Sequence, residues 1–508
     1  MGVANTGLDR HGLDGRAGLL AALGGGVAVL GTYWDDSWHT DRGRDAFAIP
    51  PHLTLYGGVL VSALVLLGWG LLAWRREGWG LGGARRVLGH RPLLLAGVGG
   101  AAVLAAGPID NVWHVRYGRD AVLWSPPHML AVAASVALSV GLLAGLRTSP
   151  GKAGAAARAL AGAGVLAALL VPVLEYDSDV PQFSPALYLP VVTAGTLLAF
   201  LVLRGLSSGA WPATVAAGVA TVLRVATLLV LAGLHMTLTV IPPVLVPAVI
   251  DDLLARRGTG DTARGLVLAL VIPASWLPAL ALQPTTAAQV PVALLPQAVV
   301  GCLLAAIAVL ALTGRLRLHR GAGRLAVPAL LALTMLVPVA VARPALAHDP
   351  GQGEPVGSAQ LATTRRDENV RLTVLVDKAC PRPGRATAGV VGRRAGATVR
   401  AGAEPAPSDS GTCTYTGELP LPAGGRWFVY LQLGDGPGRT LETWLELPAG
   451  ATRASATKAL YVATPPASTG GQALAGGALY LIVIGLLAGS VRLATWARGA
   501  VTPRRCGP

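Results

Sequence analysis

About twelve apolar runs of roughly 20 residues recur along this 508-residue chain, each long enough to cross a bilayer as a helix. They cover about residues 17–34, 51–74, 92–111, 126–146, 155–174, 185–204, 211–234, 238–255, 264–282, 288–312, 325–346 and 473–495. Such a chain has few folding options. Backbone polar groups in lipid must be satisfied within a helix or a closed barrel, and runs of this length are helical. The composition agrees, at 53% hydrophobic and only 13% charged residues, outside the soluble range. The expected fold class is a polytopic α-helical membrane protein of about 12 transmembrane helices, with the lipid bilayer as its first partner.

The arginines set the expected orientation. Arg75, Arg76, Arg85, Arg86 and Arg91 follow the second run, and Arg147, Lys152 and Arg158 follow the fourth. Arg256, Arg257 and Arg264 follow the eighth, Arg315, Arg317, Arg320 and Arg324 the tenth, and Arg498, Arg504 and Arg505 sit in the tail. If the runs alternate in direction, all these positions share one side, and the positive-inside rule makes that side cytoplasmic. The expectation is a multi-pass protein of the plasma membrane with both termini inside. The net charge of +15 is then a topology signal, and nucleic acid is excluded as a partner. No cleavable signal precedes the first run, so the N-terminus is expected to be retained.

Residues 1–204 form a first membrane region of repeated helical hairpins. Two copies fill 17–146, each with an apolar helix, a polar loop, and Pro-Pro-His opening the next helix. A third, degenerate copy spans 155–204. Its loop keeps Glu175, Asp177, Asp179 and a Ser184-Pro185 helix start but has no histidine, which reads either as a lost site or as packing support. Residues 205–346 form a second membrane region. There Arg224 lies mid-span, where a charge is functional or internally paired. His235 at a helix end reads as structural, and Asp251-Asp252 are expected to pair with Arg256 and Arg257. Residues 348–450 carry alternating segments such as VRLTVLV and WFVYLQL between Gly/Pro turns, read as an extracytoplasmic β-sandwich before the last helix. Cys380 and Cys413 are its only cysteines and fit a disulfide in an oxidising compartment. A stalk over 451–472, an anchor helix over 473–495 and a cytoplasmic tail over 496–508 complete the chain. Cys302 and Cys506 read as plain thiols.

Two loops of the first region repeat one ligand-bearing pattern. Asp35-x3-His39-x12-His52 recurs as Asp110-x3-His114-x13-His128, offset by 75 up to the last histidine and by 76 there. The four-residue spacing puts Asp and the first His on one helical face. The last His follows Pro-Pro, favoured in a helix's first turn. Each set therefore offers two ligands from one helix end and a third from the next helix start. Imidazole suits copper, zinc and iron, so ligand type leaves the metal open. Trp38 and Trp113 read as anchors at the membrane surface. Arg44-Asp45 and Arg119-Asp120 read as loop-ordering ion pairs, and Asp36 and Asp41 as supports at most.

The two motifs, each with Trp before the first His, an Arg-Asp pair and Pro before the second His, resemble the C subunit of particulate methane and ammonia monooxygenases over about 17–146. The resemblance implies copper. Asp35, His39 and His52 match one copper set of that family. His114 and His128 match the other, with Asp110 standing where the family often has Asn. It further implies O2-dependent hydroxylation of a small apolar molecule, with Asp110, His114 and His128 catalytic. Other monooxygenase-type subunits and an electron donor would be partners, since no haem, flavin or iron–sulfur motif is present. The second membrane region and fused β-domain depart from the family. The fused outer domain and the lack of a redox partner favour the rival reading of non-catalytic copper acquisition or handling, with a chaperone as partner. A third reading is a structural subunit whose metals stabilise assembly. Ala345-Leu346-Ala347 resembles a signal-peptidase site, and cutting there would expose His348 as a candidate copper chelator.

Overall fold

The structure, a computed structural model, describes residues 12–42, 48–117, 123–181, 183–207, 209–283, 290–316, 355–377, 388–394, 397–406, 412–423, 426–434, 440–462 and 469–499. Within these, the side chains of residues 42, 114–117, 397, 469 and 499 are not described. Helices α1 (Gly15–Arg42), α2 (Pro50–Glu77), α4 (Arg91–Tyr117) and α5 (Pro126–Gly145) form the first two hairpins, with a short α3 (Leu81–Leu88) between them. Then come α6 (Gly151–Leu170), the one-turn α7 (Leu174–Asp177), α8 (Tyr188–Leu206), α9 (Pro212–Gly233), α10 (Leu245–Arg256), α11 (Asp261–Ala281) and α12 (Leu295–Leu312). Helix α13 (Thr469–Gly499) closes the chain. Ten helices among the described residues are long and apolar enough to cross a membrane. The expected run over 325–346 lies outside the described residues.

The apolar side chains divide as a bilayer requires. Leu60, Leu64, Leu67 and Leu71 line one face of α2 and are 44–59% exposed, a surface that water would penalise and lipid would not. The opposite face packs closely on α1. A Cβ on Gly24 of α1 would fall 2.6 Å from the Gly58 carbonyl oxygen of α2. In the second hairpin a Cβ on Gly99 of α4 would fall 2.8 Å from the Ala134 carbonyl oxygen of α5. Gly24 and Gly99 differ by 75, Gly58 and Ala134 by 76, the same offsets as the ligand motifs. The duplication therefore extends to the helix contact itself. Small residues let the two backbones approach where lipid offers no hydrophobic drive.

The eighth expected span, 238–255, is not a continuous helix. Pro242 and Pro243 lack N–H donors and disfavour helix before them, so α10 starts only at Leu245 and runs 12 residues. The segment is built in two pieces, an extended stretch from Thr237 and then α10. Extended backbone inside a bundle needs substitute partners. Val240 donates its N–H to the Asp177 carbonyl at 2.8 Å and accepts from Arg224 Nη2 at 2.6 Å. Gln283 pairs with Ile241 on both sides, accepting its N–H at 2.6 Å and donating to its carbonyl at 2.9 Å. The buried Arg224 is thus internally paired and serves this break. Asp251 and Asp252 do not pair with Arg256 and Arg257 as expected. They face inward to Arg204 of α8, and Asp251 also to Arg264 of α11, while Arg256 stacks over Trp211.

The extramembrane unit is one antiparallel sheet of nine strands, nearly closed on itself, and the expected two-sheet sandwich is not confirmed. Its strands are β1 (Pro355–Arg366), β2 (Asn369–Asp377), β3 (Ala388–Arg394), β4 (Ala397–Gly402), β5 (Glu404–Ala406), β6 (Thr412–Pro420), β7 (Trp427–Gly434), β8 (Thr440–Leu447) and β9 (Arg453–Val462). They are ordered β4-β3-β7-β8-β9-β1-β2-β6-β5. Alternation on β2 sends Val370, Leu372, Val374 and Val376 fully inside, as the VRLTVLV pattern predicts. Strand β9 corrects the stalk reading of 451–472, since residues 453–462 are built into the sheet beside β1 and β8. On the outer face, Val391, Phe428, Tyr430 and Trp444 pack against Val180 of the third hairpin.

Candidate metal centre

Helix α1 continues past the apolar run to Arg42, so Asp35 and His39 lie one turn apart on one face. Helix α2 opens with Pro50-Pro51, which places His52 in its first turn. The three side chains converge. Asp35 Oδ1 lies 3.0 Å from His52 Nε2 and 3.7 Å from His39 Nε2, and one ligand atom from each lies within 4.8 Å of the others. A metal with bonds of about 2.0–2.1 Å holds tetrahedral ligands roughly 3.4 Å apart, so this set fits a first-row ion. The two imidazoles meet edge to face, and the side chains are 16–23% exposed.

The second set is built the same way from α4 and α5. Asp110 Oδ1 lies 3.4 Å from His128 Nε2. His114 follows Asp110 by one turn of α4, and its side chain lies outside the described residues. The sets are neighbours, because Asp35 is within electrostatic reach of His128. Tyr56 lies between them. Its ring is 5.8 Å from that of His52, its hydroxyl lies against Gly107 of α4, and it is within electrostatic reach of both Asp35 and Asp110. The sequence reading missed Tyr56. Its only signal is the four-residue spacing from His52, and the equivalent repeat position is Val132.

The other face of the α1 end is stitched to neighbours. Tyr33 lies under the Arg224 guanidinium, 3.3 Å from ring centroid to Cζ. Asp36 turns away from the histidines and accepts from the Ser178 hydroxyl. Ser37 donates to the Thr237 carbonyl at 2.9 Å, and Asp41 accepts the Thr237 N–H at 2.7 Å. Asp36 and Asp41 therefore hold the ligand-bearing helix in place without joining the cluster. The third hairpin does the same, which favours the packing-support reading of its acids. Glu175 accepts the Leu123 N–H at 2.7 Å, bracing the loop of the second set, and Asp177 binds Tyr188 and Arg224. His235 adopts φ 54° beyond α9 and ends it in a Schellman turn, with Met236 donating to Leu231 and His235 to Ala232, a structural role as expected.

Trp113 corrects the anchor reading. It is buried at 4% exposure and abuts α13 at Gly476, so it faces protein and not headgroups. Trp38 packs edge-on against Trp34. Arg44-Asp45, Arg119-Asp120, His348, Cys380 and Cys506 lie outside the described residues. Cys413 is on β6, and Cys302 is a buried free thiol of α12.

The β-domain sits at the same end of the bundle as both sets. Arg426 joins Glu446 at 2.5 Å and Thr237 Oγ1 at 3.2 Å, and lies 3.9 Å from Asp41. Lys458 donates to the Asp41 carbonyl at 3.3 Å. Burial pushes the Glu446 carboxyl up to about 7 against the pull of Arg426, and burial likewise raises Asp179. No protein-family model and no curated protein matches the chain.

Proposed function

We propose that this protein binds copper at two adjacent sites at the outer face of the plasma membrane, on a scaffold related to the C subunit of particulate methane and ammonia monooxygenases. The convergence of Asp35, His39 and His52 within 4.8 Å carries the reading, because separated motif residues meet as a ligand set. Copper, when bound, would supply one-electron redox chemistry toward O2. Asp35 stands between two imidazoles and offsets the charge of an ion held there. Asp110 does so at the second set, more strongly than the related family's Asn. Leu53 beside His52 and Val112 near Asp110 are 58% and 64% exposed, an apolar surface beside each set for a substrate dissolved in the bilayer. Hydroxylation of such a molecule, with Asp110, His114 and His128 as the reacting set, is the activity this arrangement supports.

Copper acquisition or handling without catalysis is the second reading. The β-domain favours it, because its Arg426 and Lys458 engage Asp41, two residues from His39. The test is metal content of detergent-purified full-length protein by mass spectrometry, beside His39→Ala/His52→Ala and His114→Ala/His128→Ala. Two coppers, falling by one in each double variant, support the reading. Iron or zinc from copper-replete cells, or no metal in folded protein, sinks it. A hydroxylated product lost on changing His114 or His128 would select the enzyme. Altered copper tolerance with no product would select handling.

A further inference from the structure

Helix α3 lies at the end of the bundle opposite the Asp/His sets, folded onto the exit of α2. Gly78 and Gly80 take φ of 85° and 114°, which turns the chain sharply there. A Cβ on Gly83 would fall 1.8 Å from the Gly78 carbonyl oxygen, so α3 lies directly against the turn. The Trp74 indole N–H donates to the Gly80 carbonyl at 3.1 Å, and Arg86 joins Glu77 at 2.6 Å. Val87 packs inward on the bundle core. The other face of the helix is open. Leu81, Arg85 and Leu88 follow one another at four and three residues and share that face, with Leu81 84% and Leu88 59% exposed. Trp79, just before the helix, is 63% exposed.

This apolar surface continues the lipid-facing one of α2. The exposed stripe of Leu60, Leu64, Leu67 and Leu71 runs on at the same spacing to Trp74, and the Trp79 ring meets the Trp74 ring edge-on at 4.7 Å. Arg75, one turn beyond Leu71, and Arg85, between the two leucines, are both exposed. At the boundary of acyl chains and headgroups, such rings and leucines enter the apolar layer while guanidinium groups reach the phosphates.

We propose that α3 is a membrane-surface element that binds anionic phospholipid, with Trp79, Leu81 and Leu88 seated at the acyl boundary and Arg75 and Arg85 as donors to lipid phosphate. Continuity with the α2 stripe through Trp74 favours lipid over a soluble protein as the occupant of this face. The proposal rests on the membrane-spanning helices and is independent of the metal sets.

The test is hydrogen–deuterium exchange of the full-length protein in nanodiscs of phosphatidylcholine, with and without phosphatidylglycerol. Uptake over residues 78–89 is read relative to the loop 146–150 at the same end, and unchanged uptake in the β-domain strands reports intact folding. Arg75→Gln/Arg85→Gln removes the phosphate donors, and Leu81→Ser/Leu88→Ser removes the apolar anchors. Arg492→Gln, at an exposed arginine of α13, controls for general charge. The expected exchange is about threefold or more slower with phosphatidylglycerol, a difference lost in Arg75→Gln/Arg85→Gln and kept in Arg492→Gln. Leu81→Ser/Leu88→Ser should speed exchange in both disc types. Equal exchange in the two lipids overturns the proposal, as does a difference that survives Arg75→Gln/Arg85→Gln or that Arg492→Gln removes as fully. Unchanged exchange on replacing both leucines overturns the seating and leaves the face to a protein partner.

Discussion

Replacing Arg224 with leucine isolates the device that lets an extended segment sit inside the bundle. The guanidinium holds the Val240 carbonyl at 2.6 Å, Thr239 Oγ1 at 3.1 Å and Asp177 at 3.4 Å, and covers the Tyr33 ring. Its loss strands the Asp177 carboxylate, whose side chain is 0% exposed. Breaking a buried pair from one side destabilises by about 3–5 kcal/mol. A carbonyl left without a donor adds about 1–3 kcal/mol. These effects overlap, so the expected loss is about 4–6 kcal/mol. Adding Asp177→Asn removes the stranded charge but keeps an acceptor for Tyr188, so the double variant should regain about 2 kcal/mol over the single. The assay is unfolding of the full chain in detergent, run as a double-mutant cycle. Tyr33 precedes Asp35 by two residues, so the first metal set should empty in Arg224→Leu before the second does. A loss under about 1 kcal/mol, or strict additivity of the two changes, would refute the argument.

Three further outcomes follow from the packing and the charges. Gly24→Val should wedge α1 from α2 and empty the first metal set, and Gly99→Val should do the same to the second, each losing about 1–3 kcal/mol; metal content that falls equally at both sets in either variant would contradict independent hairpins. Glu446 has its folded pKa raised to about 7, so the folded state binds the extra proton and stability should fall as pH rises from about 4.5 to 7, by up to about 3 kcal/mol, and level off above. Unfolding midpoints across that range should flatten in Glu446→Gln, and a persistent slope in the variant would assign the effect elsewhere. Glu175→Ala leaves the Leu123 N–H without its Glu175 acceptor and should loosen the second set while sparing the first, read as weaker metal retention at the second set alone in the variant.

Much of this architecture was legible because membrane spans and ligand motifs are local patterns. Apolar run length predicted ten of the described spans, and the Pro-Pro starts of α2 and α5 fell where the sequence placed them. The Asp-x3-His spacing required only that α1 stay helical to Arg42, which it does. Periodicity found the two quoted strands, but register and closure depend on pairings tens of residues apart, so the single sheet and the inclusion of β9 were not visible. Nor was the broken segment. Apolar composition over 238–255 reads the same whether the backbone is helical or extended, and only the partners supplied by Arg224, Asp177 and Gln283 make the extended form affordable.

The sequence by itself determined which side chains can ligate and which helix turn each occupies, since both follow from spacing along one strand of backbone. Tertiary structure decided that α1 and α2 approach closely enough for His52 to meet Asp35. It also inserted Tyr56 between the two sets, and it turned Asp36 and Asp41 away to hold neighbouring elements. Those outcomes depend on which helices touch and at what depth, and close packing of remote segments leaves no local signature for a single sequence to carry.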